Sequence, residues 1–441
     1  MLEISLTMSQ MFRNFRKCVE SYRLLETKIL INCRKTSYSF YSSNSLHSNE
    51  MKLPNLYRHI YSKIVACGPM TVADYMKEVL THPTAGYYMS KDVFGKEGDF
   101  TTSPEITQLF GEMIAVWMLH EKMKIAKGPF QIIELGPGRG TLIKDILRVF
   151  KQLNVLNNIS IHLVEISPAL SLIQANNLCK TSKEHNIETN ESEHDYITYY
   201  REGVTEDGIN IYWYHSVKDV PKKFSIFLAH EFFDALPIHK FQKTNSGWRE
   251  VLVDIIEGSK EEKFRYVLSN AETPAMFYIA DNEKRDHIEI SPQSLVIVDY
   301  IAQYLWEYGG FALICDYGHN DDQTDTFRAF SKHKVHDPLL HPGTADLTAD
   351  VDFAAIKNVA EKDNRLITFG PIAQACFLKN LGIDVRLKIL LQNATKEERE
   401  RLESGYRMIM DDDKMGKRFK VLSLFPFVVK EYFQKLPVAG F

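Results

Sequence analysis

The sequence predicts a doubly wound α/β fold, in which helices cover both faces of a mainly parallel β-sheet. Short apolar runs that read as buried strands alternate with helix-like segments along the middle of the chain. One of these strands, with Ile132 and Ile133, runs directly into the glycine-rich turn ELGPGRGTL, and a helix-like run begins at Leu142. A strand, a tight turn and a helix start in this order suit the binding of a nucleoside cofactor.

The glycine turn supplies the first candidate cofactor-binding residues, which are Glu134, Gly136, Pro137, Gly138 and Gly140. Glycine has no Cβ, so it adopts positive φ readily and lets a ligand lie directly on the backbone. The spacing Glu-x-Gly-x-Gly-x-Gly departs from the dinucleotide fingerprint G-x-G-x-x-G. It resembles the first motif of S-adenosylmethionine-dependent methyltransferases. A turn without a ligand is the alternative reading of three such glycines.

A second acid strengthens the cofactor interpretation. Ile161, Leu163 and Val164 form an apolar strand that ends in Glu165. This is about 25 residues after the glycines, where α/β folds place the acid that binds ribose hydroxyls. The alternative is an exposed glutamate that merely ends a strand.

Composition argues against several classes of protein. With 441 residues, of which 44% are hydrophobic, the chain can bury a large core in one elaborated domain or two. Its net charge of -4 disfavours a nucleic-acid partner. No apolar run approaches the length that spans a bilayer, so we expect no membrane span. Pairing of two copies stays open at this point.

We predict no metal site. The six cysteines are scattered without a C-x-x-C pair, which favours neither a zinc site nor a disulfide framework. His333, His336 and His341 fall in a polar loop that lacks the acid–histidine pattern of a known metal site.

The first 49 residues are basic, rich in serine and poor in acids, which is typical of a transit peptide. We therefore predict import into the mitochondrial matrix and removal of residues 1–49. A disordered cytosolic tail is the alternative on the same composition.

The next segment, residues 50–127, is predicted to form helices and a cover for the cofactor. Apolar spacing indicates helices over 56–65 and 71–80. The polar loop GDFTTSPEI then precedes a long helix that begins at Ser103. Asp99, Thr101 and Ser103 of this loop are candidate cofactor contacts. A structural turn with capping hydroxyls is the alternative.

Residues 128–320 are predicted to be the core, with an antiparallel insertion at about 240–290. Residues 321–441 are predicted to complete the sheet and to add helices at 377–391 and 397–410. A nearly all-polar segment over 182–195 is predicted to be a solvated insertion.

Two predicted strands of this core end in acids. The strand over 224–229 opens into His230, Glu231 and Asp234, and the strand over 311–315 ends in Asp316. Parallel strands present their carboxyl ends to the ligand crevice, so these acids should lie beside the cofactor. Capping of the following helices, or binding of cofactor hydroxyls, is the alternative role for them.

Six motifs, in order, resemble the MidA family of mitochondrial protein arginine methyltransferases, which are assembly factors for respiratory complex I. The motifs are GDFTTSPEI, ELGPGRGTL, VEISP, AHEFFDALP, DYG and PGTADLTADVDF. The resemblance covers about residues 55 to 441. It implies a class I methyltransferase fold, with its Rossmann-like sheet, and S-adenosylmethionine as cofactor. It also implies symmetric dimethylation of an arginine on the 49-kDa iron–sulfur subunit of complex I.

Arginine chemistry gives the strand-end acids a role. A guanidinium stays protonated, and its planar fork can be met by two carboxylate oxygens. We therefore predict that Glu231 orients the substrate, with Asp234 or Asp316 as its second partner. Better-known arginine methyltransferases have two glutamates in the comparable loop, whereas this chain offers Glu231 and Asp234. A non-catalytic assembly chaperone, a small-molecule methyltransferase and a nicotinamide-dependent oxidoreductase are the competing functions.

Overall fold

In the computed structural model, the described residues are 56–89, 102–185, 198–258 and 261–441. The predicted transit peptide lies outside them, as do Asp99 and Thr101. Lys52–Phe441 cluster as one compact unit.

A ten-stranded mixed sheet forms the centre of the structure and confirms the predicted α/β fold. The strands at its middle pair in parallel, whereas those at both edges run antiparallel. In spatial order they are β17 (Leu366–Ala373), β18 (Phe419–Pro426), β12 (Gly310–His319), β7 (Ser225–His230), β2 (Phe130–Leu135), β3 (Ile159–Val164), β6 (Asn210–Tyr214), β5 (Arg201–Val204) and β4 (Thr181–Glu184). The tenth, β16 (Val351–Asp352), pairs in parallel with the end of β12.

Alternation along the central strands divides the apolar side chains between two cores. All six residues of β2 are buried. Ile132 packs into the core on one face, whereas Ile133 and Leu135 pack into the core on the other. A strand buried on both faces reads as a continuous apolar run, which is why the sequence predicted this strand correctly.

Helices cover both faces of the sheet. They are α3 (Ser103–Ile106), α4 (Gln108–Ile125), α5 (Thr141–Gln152), α6 (Pro168–Leu178), α7 (Pro292–Tyr308) and α8 (Phe353–Glu361). The prediction of a single long helix from Ser103 is wrong, because the structure has two helices, α3 and α4, in its place. Thr107 has extended backbone, and its hydroxyl accepts the N–H of Leu109, so it ends α3 and caps α4.

An antiparallel sheet of five strands forms the predicted insertion. Its strands are β1 (Met70–Thr71), β8 (His239–Thr244), β9 (Gly247–Ile255), β10 (Phe264–Leu268) and β11 (His287–Ile290). Two amino-terminal helices, α1 (Leu56–Cys67) and α2 (Val72–Thr81), share a third apolar core with this sheet. Thr71 caps α2 as predicted, because its hydroxyl accepts the N–H of Asp74 at 3.0 Å.

Two features were not predicted as strands. A second accessory sheet has three antiparallel strands, β13 (Arg328–Ser331), β14 (Lys334–His336) and β15 (Asp346–Thr348). The segment predicted as a solvated insertion contains most of β4, whose four residues are exposed but pair with β5.

The carboxyl-terminal helices are α9 (Gln374–Asn380), α10 (Ile383–Gln392), α11 (Lys396–Met410), α12 (Met415–Arg418) and α13 (Lys430–Lys435). The single helix predicted over 377–391 is interrupted. Gly382 adopts φ +88° there and starts a new helix, a conformation that disfavours residues with a Cβ. Among the described helices, none is both long enough and apolar enough to cross a membrane.

Candidate active site

A cavity of about 1460 Å³ opens at the carboxyl ends of the central parallel strands. Such a crevice is where open α/β sheets bind their ligands. Its lining comes from the residues after β2, β3 and β7, and from α11, α12 and the accessory strands β13 and β15. The cavity is larger than the 300–1,000 Å³ that small ligands typically occupy, so it has room for a cofactor and part of a second molecule.

The glycine turn lies between β2 and α5 in a conformation that needs glycine. Gly136, Gly138 and Gly140 have φ values of +62°, +54° and +79°. A Cβ on Gly136 would lie 2.8 Å from Cδ2 of Phe232, and one on Gly140 would lie 2.9 Å from Cδ1 of Leu178. The turn therefore exposes bare backbone to the cavity at Gly136 and Gly138, and a Cβ at Gly136 or Gly140 would crowd a neighbouring side chain.

The predicted cofactor residues divide into two groups. Gly136, Gly138 and Glu165 line the cavity. Glu134, Pro137 and Gly140 are buried and lie outside its lining. Their contact with a cofactor stays a prediction.

Glu134 is buried, and the hydrogen bonds that would offset the cost of burying its carboxylate are incomplete among the described residues. Its side chain lies in the sheet, and its Oε2 has no hydrogen-bond partner among the described residues. Burial raises the pKa of Glu134 to about 8, so it is mostly neutral at pH 7.

Glu165 lies at the cavity wall with both oxygens hydrogen-bonded. Oε1 accepts the N–H of Ser167 at 2.8 Å, and Oε2 accepts the side-chain amide of Gln174 at 3.0 Å. The same amide nitrogen of Gln174 donates to the carbonyl of Gly138 at 2.7 Å, and Trp213 donates to the amide oxygen. Gln174 thus fixes the second acid against the glycine turn. Burial raises the pKa of Glu165 to about 7, although these hydrogen bonds oppose the shift.

Glu231 lines the same cavity directly after β7. It is a non-glycine residue at φ 50°, a backbone conformation that costs on the order of 1–3 kcal/mol. Its Oε1 accepts the N–H of Ser103 at 3.4 Å and lies 3.4 Å from Nε2 of His230. Its Oε2 has no hydrogen-bond partner within the described ranges. Burial, followed by the charge of Asp234, raises the pKa of Glu231 well above its usual range.

Asp234 also lines the cavity, and only one of its oxygens is bonded. Oδ2 accepts the hydroxyls of Tyr317 and Thr348, the latter at 2.8 Å. Oδ1 is buried and, in the part of the chain that the structure describes, has no partner. Burial raises the pKa of Asp234, whereas its two hydroxyl partners and the charge of Arg328 lower it.

Asp316 occupies a different position from the one its predicted role requires. It is fully buried and lies outside the cavity lining. Its Oδ2 accepts backbone N–H groups of Phe232, Phe233 and Asp234 at 3.2, 3.0 and 3.4 Å, and its Oδ1 accepts the N–H of Tyr317. Direct contact with a substrate would need these bonds to break. Asp316 instead holds the turn that carries Glu231 and Asp234.

Ser103 likewise lies behind the cavity wall. It is fully buried and contacts the site through its backbone N–H, which donates to Glu231. Its hydroxyl points to the sulfur of Met415 at 3.8 Å.

Sequence reasoning missed several polar residues of the site. Asp346 lines the cavity and accepts the hydroxyl of Tyr88 at 2.6 Å. Tyr317 and Thr348 hold Asp234, and Gln174 holds Glu165. The motifs DYG and PGTADLTADVDF contain three of these residues, so they were the available signal. Gln174 had no such signal, because it lies on an ordinary helix face.

One cluster outside the cavity has ligand atoms close enough for a metal ion. His59, Glu78 and His82 bring theirs within 4.8 Å of one another. Lys63 already pairs with Glu78 at 2.9 Å, and its positive charge opposes a cation there.

A parallel sheet with a glycine turn after one strand and an acid after the next defines a Rossmann-like protein that binds a nucleoside cofactor. Residues 113–372 match the family model described as "Putative S-adenosyl-L-methionine-dependent methyltransferase". The chain belongs to this family, has the class I methyltransferase fold and uses S-adenosylmethionine as its cofactor. The backbone exposed at Gly136 and Gly138, with the fixed carboxylate of Glu165, fits a nucleoside.

Relatives in several animals support the same family. The chain is 50% identical over 391 residues to the human "Protein arginine methyltransferase NDUFAF7, mitochondrial", covering 88% of this chain and 87% of the relative. It is 48% identical over 420 residues to the Bos taurus protein of the same name, covering 94% and 92%. These relatives confirm the family that the six motifs suggested.

A solved structure supports the fold. A Burkholderia thailandensis protein bound to S-adenosyl-homocysteine superposes with a TM-score of 0.67 at 22% identity. The match covers 85% of this chain and 92% of that one.

Proposed function

We propose that this protein is an arginine N-methyltransferase that acts on a protein substrate. The observation that carries the proposal is the buried Oδ1 of Asp234, which has no partner among the described residues and lies beside the half-bonded carboxylate of Glu231. A buried carboxylate oxygen without a donor is costly, and an incoming guanidinium would supply donors in a planar fork. The names of the animal relatives agree with this substrate class.

The cofactor end would be built from the glycine turn and Glu165. S-adenosylmethionine supplies a methyl group on a positively charged sulfur. In this proposal the backbone at Gly136 and Gly138 receives the nucleoside, and Glu165 accepts its ribose hydroxyls. The cavity continues from there to the strand-end acids, so methyl donor and methyl acceptor would meet inside it.

Glu231 would orient the guanidinium of the substrate. Methyl transfer is an in-line displacement in which position provides most of the catalysis. One guanidinium nitrogen forms a bond to the methyl carbon as the carbon–sulfur bond breaks, and that nitrogen loses a proton. A carboxylate with a raised pKa is a suitable acceptor for this proton, which is the second role we assign to Glu231. Asp234 is the second carboxylate of this pair, and Asp316 positions both through the backbone.

The substrate we propose is the 49-kDa iron–sulfur subunit of mitochondrial complex I. The product would be symmetric dimethylarginine, and the reaction would take place in the mitochondrial matrix during complex I assembly. This part of the proposal rests on the family resemblance, and the word "mitochondrial" in the names of the relatives supports it.

The test is transfer of labelled methyl groups from S-adenosylmethionine to the recombinant 49-kDa subunit. We expect label on arginine, and we expect Glu231→Gln to lower the transfer rate by roughly 10²–10⁴-fold with cofactor binding retained. Glu257→Gln, a change in an exposed turn, is the control for loss of a carboxylate.

Other outcomes would support the competing functions. Label on a metabolite would indicate a small-molecule methyltransferase. Stable binding of the subunit without any label would indicate an assembly chaperone. Unchanged turnover of the Glu231 variant would remove Glu231 from the mechanism.

A further inference from the structure

Strand β15 brings two polar side chains to the acid end of the cavity. Thr348 donates its hydroxyl to Asp234, and Asp346 lies two residues earlier on the same strand. Side chains two positions apart point to the same face of a strand, so Asp346 shares the direction of Thr348. Asp346 lines the cavity together with Glu231 and Asp234.

A hydroxyl from the amino-terminal region fixes Asp346. Tyr88 donates to its Oδ1 at 2.6 Å, and the residue is 6% exposed. Asp346 is also close enough for its charge to help raise the pKa of Glu231. Two acids of the cavity wall, Asp234 and Asp346, therefore each accept a hydrogen bond from a tyrosine hydroxyl.

The acid end gathers several acidic side chains, and Arg328 is a nearby cation whose charge acts on Asp234. Within the described parts of the chain, Glu231, Asp234 and Asp316 form no ion pair with a lysine or an arginine. Like charges gathered in a buried site disfavour the folded state, and a cation that enters the site relieves this repulsion. A guanidinium carries five N–H donors, more than two carboxylates meet when each binds bidentately.

We propose that Asp346, on strand β15 of the three-stranded sheet, is a third carboxylate of the guanidinium site and is positioned by Tyr88. This inference rests on the arginine methyltransferase activity proposed above. The segment after strand β7 of the central sheet contributes Glu231 and Asp234, and β15 contributes Asp346. In this proposal, binding of the substrate arginine requires the three-stranded sheet β13–β15 to be packed against the central sheet.

The experiment uses the full chain, with the recombinant 49-kDa subunit as substrate. Asp346→Asn should raise KM for this substrate by roughly ten- to hundredfold, because it removes a charge-assisted hydrogen bond. The affinity for S-adenosyl-homocysteine should stay within twofold, since Asp346 lies with the strand-end acids. Asp337→Asn is the control, because Asp337 precedes β15 in the chain, lies outside the cavity lining and pairs with Lys263.

Tyr88→Phe provides a second, milder test. It keeps the carboxylate but removes the hydroxyl that fixes it, so KM should rise less than in the Asp346 variant and in the same direction. If Asp346→Asn does not fold, an unchanged KM in Tyr88→Phe overturns the inference.

The outcomes separate the two proposals. Wild-type protein that labels no arginine contradicts the proposed function itself. Wild-type activity together with an unchanged KM in a folded Asp346→Asn variant overturns only the role of Asp346. Loss of S-adenosyl-homocysteine affinity in proportion to activity would assign Asp346 to the cofactor, and this also overturns the inference.

Discussion

The two ends of the cavity hold carboxylates in opposite states of hydrogen bonding. At the cofactor end, both oxygens of Glu165 accept bonds, from Ser167 and from Gln174. At the acid end, Asp234 leaves one buried oxygen without a partner in the described residues. Among the described residues, Glu231 there accepts a hydrogen bond through Oε1 only, from the N–H of Ser103.

This difference agrees with the ligands that we propose for the two ends. A carboxylate held through both oxygens has a fixed orientation, and its remaining lone pairs can accept bonds from neutral hydroxyls. A carboxylate with an unpaired buried oxygen costs roughly 1–3 kcal/mol of folding stability, which a charged donor can restore on binding. In the proposed function, the acid end therefore loses folding stability that the bound substrate restores, whereas the end with Glu165 does not.

The acid end offers the strongest test, because the neighbouring carboxylates of Asp234 and Asp316 differ in hydrogen bonding. Both oxygens of Asp316 accept hydrogen bonds, whereas one oxygen of Asp234 has no partner among the described residues. Asp234→Asn should lower the rate of methyl transfer by roughly 10³-fold without lowering thermal stability, since a carboxylate with an open oxygen becomes a neutral amide. Asp316→Asn should instead lower the free energy of unfolding by about 1–3 kcal/mol, because its amide nitrogen cannot accept the N–H of Tyr317.

Single-turnover transfer assays and urea denaturation of both variants measure these effects. The comparison fails if, at equal folded fraction, Asp316→Asn lowers the rate of methyl transfer more than Asp234→Asn does.

A change in the glycine turn should break the cofactor end alone. Gly138→Val places a β-branched side chain at φ +54° on the cavity wall, so affinity for S-adenosyl-homocysteine should fall by at least roughly 100-fold. Isothermal titration calorimetry measures the loss.

Gly208→Val is the matched control for backbone strain. Gly208 has φ +78°, and a Cβ there would meet no atom within 4 Å. Equal affinities of the two variants would show that the glycine turn does not contact the cofactor.

The places of the glycine turn and Glu165 could be predicted from sequence because their geometry is local. An apolar strand, three glycines and a helix start lie within about a dozen residues, and glycine is the residue type that such a turn demands. Glu165 follows at the end of the next strand, so its place at the same edge of the sheet follows from parallel topology.

The acid end could be predicted only in part, because its details depend on distant contacts. Asp234 follows strand β7 and Asp316 lies within strand β12, and the local sequence does not reveal which of them is saturated by backbone N–H groups. The bond between Tyr88 and Asp346 joins residues 258 positions apart. Its formation depends on how the accessory sheet and the amino-terminal helices pack together, which no local pattern reports.

The smallest predicted effect concerns pH, and it sharpens the account of Glu165. Its pKa of about 7 means that it is mostly ionised at pH 8 and mostly protonated at pH 6. The ionised form is the better acceptor for ribose hydroxyls, so affinity for the cofactor product should fall by about tenfold as pH drops from 8 to 6. S-adenosyl-homocysteine is the ligand of choice, because its uncharged sulfur avoids the changing charge of Glu231 and Asp234. Glu165→Gln should bind more weakly at pH 8 and show a flat pH profile, whereas a flat profile in the wild-type protein would contradict the ribose-binding role.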